Sequence, residues 1–171
     1  MASEQDINTL EQWRRNRDAP AGALLPADWT VSDPQRTENG SIFVSAWTPS
    51  RAFVAMPYGL RVRPGLSLSC LSGDLSILLY IDPGYLEQDA IPVRWSVDDQ
   101  ALPDAAWTAR RTSYNVFGLP ADADPEDVVD RLVSGQRLDM TLMTEAADID
   151  VSFELDGFPA ALNQLRQACS D

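Results

Sequence analysis

Histidine and lysine are both absent from the 171 residues, and all 13 basic side chains are arginine. These absences remove Ser-His-Asp and Cys-His nucleophilic catalysis, the Ser-Lys variants, Schiff-base and pyridoxal chemistry, the P-loop lysine and every histidine-containing zinc or iron site. The two cysteines are too few for a four-cysteine zinc or iron–sulfur centre. No apolar run nears the roughly 20 residues that span a bilayer, so membrane insertion is not expected. The first segment carries Glu4, Asp6, Glu11, Arg14, Arg15, Arg17 and Asp18 and has no signal-peptide core. For an enzyme there remain carboxylate chemistry, arginine as an electrostatic clamp, or a metal held by oxygen ligands.

Acidic residues number 26, giving a formal net charge of −13. That charge repels nucleic acid phosphates and anionic lipid, and neither is an expected partner. With 44% hydrophobic residues, the chain can bury one sizeable core, and its length fits one domain with an appended N-terminal segment.

Ser3 and Asp6 form a capping arrangement ahead of Ile7, Leu10 and Trp13, which predicts a short helix to about Arg17, broken by Asp18-Ala-Pro-Ala-Gly22. Residues 1–22 are therefore read as an N-terminal helical segment and 23–171 as the main domain. From Trp29 the pattern changes to short alternating segments, the mark of antiparallel strands with one buried face. Strands are expected at Trp29–Ser32, Ser41–Thr48, Ala52–Met56, Leu66–Leu71, Leu75–Ile81, Ile91–Val97, Trp107–Arg111, Arg137–Met143 and Ile149–Leu155. The fold class is thus mainly β, an antiparallel sandwich with helices added. Two hairpins stand out, one turning at Ser72-Gly73-Asp74 and one at Glu145–Asp148. In the second, Leu138, Met140 and Leu142 share a face, as do Ile149, Val151, Phe153 and Leu155, and all seven are expected in the core. Asp124-Pro125-Glu126-Asp127 starts a further short helix that Gly135 ends. Gly157 and Pro159 start a C-terminal helix running to Cys169.

On that last helix Phe158, Ala161, Leu162, Leu165 and Cys169 follow one apolar stripe. Cys70 is in phase with the inward Leu66 and Leu68. Both sulfurs face inward, so a Cys70–Cys169 disulfide is expected, closing a 99-residue loop. In the loop-entropy treatment this constrains the unfolded chain by up to about 4.7 kcal/mol. The alternative is two buried free thiols in a cytoplasmic protein.

Three groups of polar residues bear on chemistry. Asp122-Ala-Asp124-Pro-Glu126-Asp127 spaces oxygen ligands like a calcium loop. An EF-hand needs glycine and glutamate where Asp127 and Val133 stand, so helix capping explains the run better. Asp98-Asp99 is a paired carboxylate, but neighbours on a strand end point apart, which fits a turn. Arg94 alternates with Val93 and Trp95, and Arg61, Arg63, Arg110 and Arg111 join it as a candidate anion-binding patch, against cross-strand pairing with carboxylates as the plainer reading. Trp95 is assigned to the core, and Trp47, Phe53 and Tyr58 to an exposed patch able to stack on sugars or peptides. Arg94, Arg110, Arg111 and Trp47 are the candidate binding residues. No metal site, catalytic residue or cofactor is read.

Leu66-Ser-Leu-Ser-Cys70, Ile91-Pro-Val-Arg94-Trp-Ser-Val-Asp98, Trp107, Arg137-Leu-Asp-Met140 and the ending Val151-Ser-Phe-Glu-Leu-Asp-Gly157-Phe-Pro-Ala-Ala161-Leu-Asn-Gln-Leu165-Arg-Gln-Ala-Cys169 resemble type VI secretion-associated periplasmic proteins of the TagO/VasI kind. The likeness runs from about Trp29 to the C-terminus. It departs at Thr9–Arg15, where members of that family tend to carry further cysteines. The resemblance implies a periplasmic β-sandwich accessory protein without enzymatic activity or cofactor, and the leading functional reading is that an exposed face near Arg94, Arg110 and Arg111 engages a protein or cell-envelope component. A cytoplasmic location is the alternative. An acidic inhibitor of a basic partner and a carboxylate-dependent glycan-active enzyme are the competing functional readings. The partner's identity and the oligomeric state are not legible in the sequence.

Overall fold

A computed structural model describes residues 19–81, 86–110 and 114–170. The predicted N-terminal helix to Arg17 and the candidate Arg111 lie outside the described residues.

Period-2 alternation is strongest in Arg137–Met143 and Asp148–Glu154, and these pair as an antiparallel hairpin in which Leu138 faces Phe153 and Met140 faces Val151. All seven side chains expected in this core are buried. The other expected hairpin forms as well, Gly65–Leu71 against Asp74–Tyr80, with Ser72 and Gly73 both at positive φ in the two-residue turn.

In chain order the strands are β1 (Thr30–Val31), β2 (Gln35–Arg36), β3 (Ile42–Pro49), β4 (Val54–Ala55), β5 (Arg61–Val62), β6 (Gly65–Leu71), β7 (Asp74–Tyr80), β8 (Ala90–Val97), β9 (Gln100–Ala101), β10 (Ala105–Ala109), β11 (Val116–Gly118), β12 (Arg137–Met143) and β13 (Asp148–Glu154). The helices are α1 (Pro125–Val133) and α2 (Phe158–Cys169). Every predicted strand is present, and β2, β5, β9 and β11 are additional.

A sandwich requires two separate facing sheets. Here hydrogen bonding runs unbroken through β1-β3-β6-β7-β11-β10-β8-β12-β13, with β2 and β9 as side branches and only β4–β5 apart. The physical reason is β11. It inserts between β7 and β10, pairing Phe117 with Leu79 on one side and with Ala109 on the other, and so joins what would otherwise be two sheets.

The sheet curls into a half-barrel whose end strand comes back to the beginning. The Arg51 amide donates to the Ser152 carbonyl at 2.8 Å, and Trp29 Nε1 donates to the Glu154 carbonyl at 3.0 Å. The leading segment runs beside this seam, Gly22 and Leu25 donating to the carbonyls of Phe53 and Arg51. The outer edge of β13 is therefore covered, which removes an aggregation-prone template.

The helices fill the concave side. α1 starts as its sequence dictates, with Asp124 accepting from the Glu126 amide at 3.0 Å and Pro125 in the first turn. α2 begins after Gly157, whose φ of +83° favours glycine, and buries Phe158, Leu162 and Leu165 in the sheet's core. Each such side chain contributes about 1.5–3 kcal/mol relative to exposure. Phe158 also packs on Trp29, ring centroids 4.9 Å apart, and Arg166 bridges to Glu126 at 2.8 Å, tying α2 to α1.

Cys70 and Cys169 are bonded, their Cα atoms 6.1 Å apart. The bridge joins the end of α2 to β6, as the two inward stripes predict. A disulfide of this kind belongs to an oxidising compartment.

Candidate functional site

With one face of the sheet committed to the core, the convex face is open to a partner, and strand parity decides which side chains reach it. A cross-strand row runs Thr30, Trp47, Ser67, Leu78, Gly118, Thr108, Ala90 over seven strands. The next row holds Pro49, Gly65, Tyr80 and Val116. Arg110 joins that row through its amide, which donates to the Val116 carbonyl at 2.9 Å.

Two glycines shape this face. A Cβ on Gly65 would come within 2.3 Å of Trp47 Nε1, so the indole lies across the bare backbone of β6. A Cβ on Gly118 would come within 2.2 Å of Arg110 Nε, so the guanidinium lies across β11, where its Nη2 donates to the Leu119 carbonyl at 2.6 Å. Both side chains are thus held in place while remaining available, Trp47 being 42% exposed. Trp47 and Gly118 are three strands apart, about 14 Å. Leu78 and Tyr80, both partly exposed, lie between them.

A ladder of serines borders the aromatic row. Ser45, Ser69 and Ser76 are directly paired across β3, β6 and β7, and Ser32 Oγ lies 3.4 Å from Ser45 Oγ. Ser67 and Ser69 are buried even though they face outward, their oxygens 3.4 Å apart. Sequence reasoning missed this ladder. Its signal is the polar phase of Leu66-Ser-Leu-Ser-Cys70, in which Ser67 and Ser69 alternate with the inward Leu66, Leu68 and Cys70. Each of these hydroxyls can donate and accept hydrogen bonds. The surface can therefore stack a ring on Trp47, offer hydroxyls beside it and meet an anionic or carbonyl group with Arg110.

Trp47 and Arg110 share this surface, but Arg94 does not. Arg94 lies four residues along β8 from Ala90, whereas Arg110 lies beyond Thr108 in the opposite sense, so the two are separated by about 20 Å along the strands. Arg94 is exposed beside Thr141, its Nη2 3.8 Å from Met143 Sδ, and has no carboxylate partner among the described residues. Arg61 lies over the Phe53 ring at 4.6 Å. Arg63 braces two loops, donating to the Ser50 and Pro26 carbonyls at 2.9 and 2.6 Å, and burial lowers its pKa from the usual arginine value. Tyr58 is 71% exposed at the β4–β5 tip. Among the described residues, then, Arg94 and Arg110 are not brought together.

The Asp98-Asp99 pair has structural work. Asp98 and Asp99 occupy the β8–β9 turn at positive φ, and Asp98 accepts the amides of Gln136 and Arg137 at 3.0 Å each. Asp99 lies 3.6 Å from Arg137, whose pKa is raised, chiefly by its hydrogen bond to Asp139. Trp95 is in the core as expected, edge-on to Trp107 at 5.6 Å.

Compared with family models, with curated proteins and with solved structures, the chain finds no match in any of the three.

Proposed function

We propose that this protein is a non-catalytic binding protein of the periplasm that engages a protein or cell-envelope component through the convex face bearing Trp47 and Arg110. The observation that carries this reading is the pair of glycine seats. They order an indole and a guanidinium on one accessible face before any ligand arrives, which reduces the entropy a ligand must overcome. The Cys70–Cys169 bridge supports an oxidising compartment. The resemblance to type VI secretion accessory proteins adds a candidate setting for the same role.

The test is a photo-crosslinking amino acid placed at Leu78, between the two seats, in the native host, with the partner identified by mass spectrometry. Gly118→Ala, which pushes Arg110 off its seat, and Arg110→Ala are expected to reduce crosslink yield several-fold, while Arg94→Ala leaves it unchanged. Equal effects from Arg94→Ala, or two free thiols in protein taken from its native compartment, would overturn the reading.

A further inference from the structure

At one end of the half-barrel an open cleft of about 450 Å³ lies between the approach to β10 and the start of α1. Its apolar lining comes from Trp95, Leu102, Ala105, Ala123 and Val128, three of them core side chains with one flank reaching the cleft. Its polar lining is unbalanced. Asp104, Asp122, Asp124 and Asp127 contribute four carboxylates against the single guanidinium of Arg131. Asp124 is engaged by the Glu126 amide. Asp104, Asp122 and Asp127 have neither an ion pair nor a side-chain hydrogen bond among the described residues.

We propose that this cleft docks an extended, arginine- or lysine-bearing segment of a partner protein, its aliphatic stem on the apolar floor and its cation among Asp104, Asp122 and Asp127. This inference is independent of the Trp47 face. Three features select that occupant. The charge is complementary both locally and globally, because a chain of net charge −13 steers a basic partner toward itself. The carboxylates are dispersed, and among the described residues no three acidic groups come close enough to hold a metal ion. A cation with an apolar stem matches that spread, whereas a compact ion does not. Length also fits. The nine residues of α1 extend about 13 Å, the span of roughly four residues of extended chain.

Arg131 gives the cleft a direction. It lies one helical turn beyond Asp127, where Leu102 and Arg131 also line a second pocket with Gln100, Gly135 and Asp98, whose carboxylate is taken up by the Gln136 and Arg137 amides. A guest therefore places its cation at the Asp127 end and a carbonyl or carboxylate at the Arg131 end.

The experiment titrates the whole protein into a fluorescein-labelled hexapeptide of alternating alanine and arginine, read by anisotropy at physiological salt. Wild type is expected to bind. The combined Asp104→Asn, Asp122→Asn, Asp127→Asn variant is expected to bind at least about tenfold more weakly, and Asp148→Asn, Asp150→Asn, Asp156→Asn, with the same charge change, within about twofold of wild type. Ala123→Trp, which fills the cleft and keeps every charge, is expected to match the cleft variant, and it decides the question if the triple variant does not fold. Equal weakening by the two triple variants would reduce the effect to diffuse charge and overturn the proposal, as would wild-type affinity in Ala123→Trp or no binding by wild type. A dimer in sedimentation velocity that the cleft variant dissolves would seat the chain's own arginines there and overturn it too.

Discussion

Arg51 donates its amide to the carbonyl of Ser152, and this bond joins the segment after β3 to the free edge of β13. The contact ties the two ends of the half-barrel together at one point. The Arg51 guanidinium reinforces it, its Nε lying 2.8 Å from Glu154 Oε1, and Trp29 adds its indole donor to the Glu154 carbonyl.

Closure of this kind is visible in hydrogen exchange. The Arg51 amide is expected to exchange nearly as slowly as the paired amides of β13, although it lies outside any strand. Trp29→Phe, which keeps the packing on Phe158 and removes the donor, should cost about 1 kcal/mol in urea unfolding and speed exchange at Arg51. Fast exchange at Arg51 in wild type would show that the seam is open in solution.

Removing the disulfide with Cys70→Ala and Cys169→Ala should lower stability by up to about 4.7 kcal/mol, the ceiling for a loop near 100 residues. Urea unfolding of the wild type with and without a reductant should reproduce most of that difference. The amides of α2 should then lose protection ahead of those of β12, because β12 keeps its pairing with β8 and β13.

Asp98 combines a left-handed backbone with two accepted amides. Asp98→Asn retains an acceptor and tolerates the conformation, so it should be the mildest change. Asp98→Gly suits the backbone but frees both amides. Asp98→Ala does neither and should cost about 2 kcal/mol or more. Chemical denaturation of the three variants checks the order.

Trp95 and Trp107 touch edge to face, but only one is satisfied. Trp95 Nε1 donates to the Pro103 carbonyl at 2.7 Å, whereas Trp107 Nε1 is buried with no partner among the described residues. Replacing each by phenylalanine removes a similar volume, yet Trp95→Phe loses a hydrogen bond and Trp107→Phe removes an unpaired donor. Trp95→Phe should therefore be the more destabilising by about 1–2 kcal/mol, measured by thermal or urea unfolding.

Much of this architecture was legible because strand parity is a local property. Leu138 through Leu155 announced their buried face, Asp124-Pro125 announced a helix, and Cys70 and Cys169 announced their direction. The single sheet was hidden. β11 is three residues long, buried throughout and without alternation, so nothing in Val116-Phe117-Gly118 marks it as the strand that joins the halves. The candidate site divides in the same way. Parity places Arg94 and Trp47 outward, but the stagger between strands decides which outward residues meet, and stagger depends on pairings distant in sequence. Arg110 joined Trp47 and Arg94 did not for that reason. The glycine seats were equally hidden, because each glycine faces a side chain from another strand.

The bridge between β6 and α2 also has a mechanical meaning. Tension applied beyond Cys169 enters the sheet at Cys70, in a strand flanked by β3 and β7, without passing through α2, β13, β12 or β8. Residues 70 to 169 form a covalently closed ring that cannot lengthen under load. Chain ahead of Cys70 pays out, beginning where Gly22 and Leu25 bond the carbonyls of Phe53 and Arg51, so a pull from the N-terminal side would peel β1, β3 and their loops away from an intact remainder.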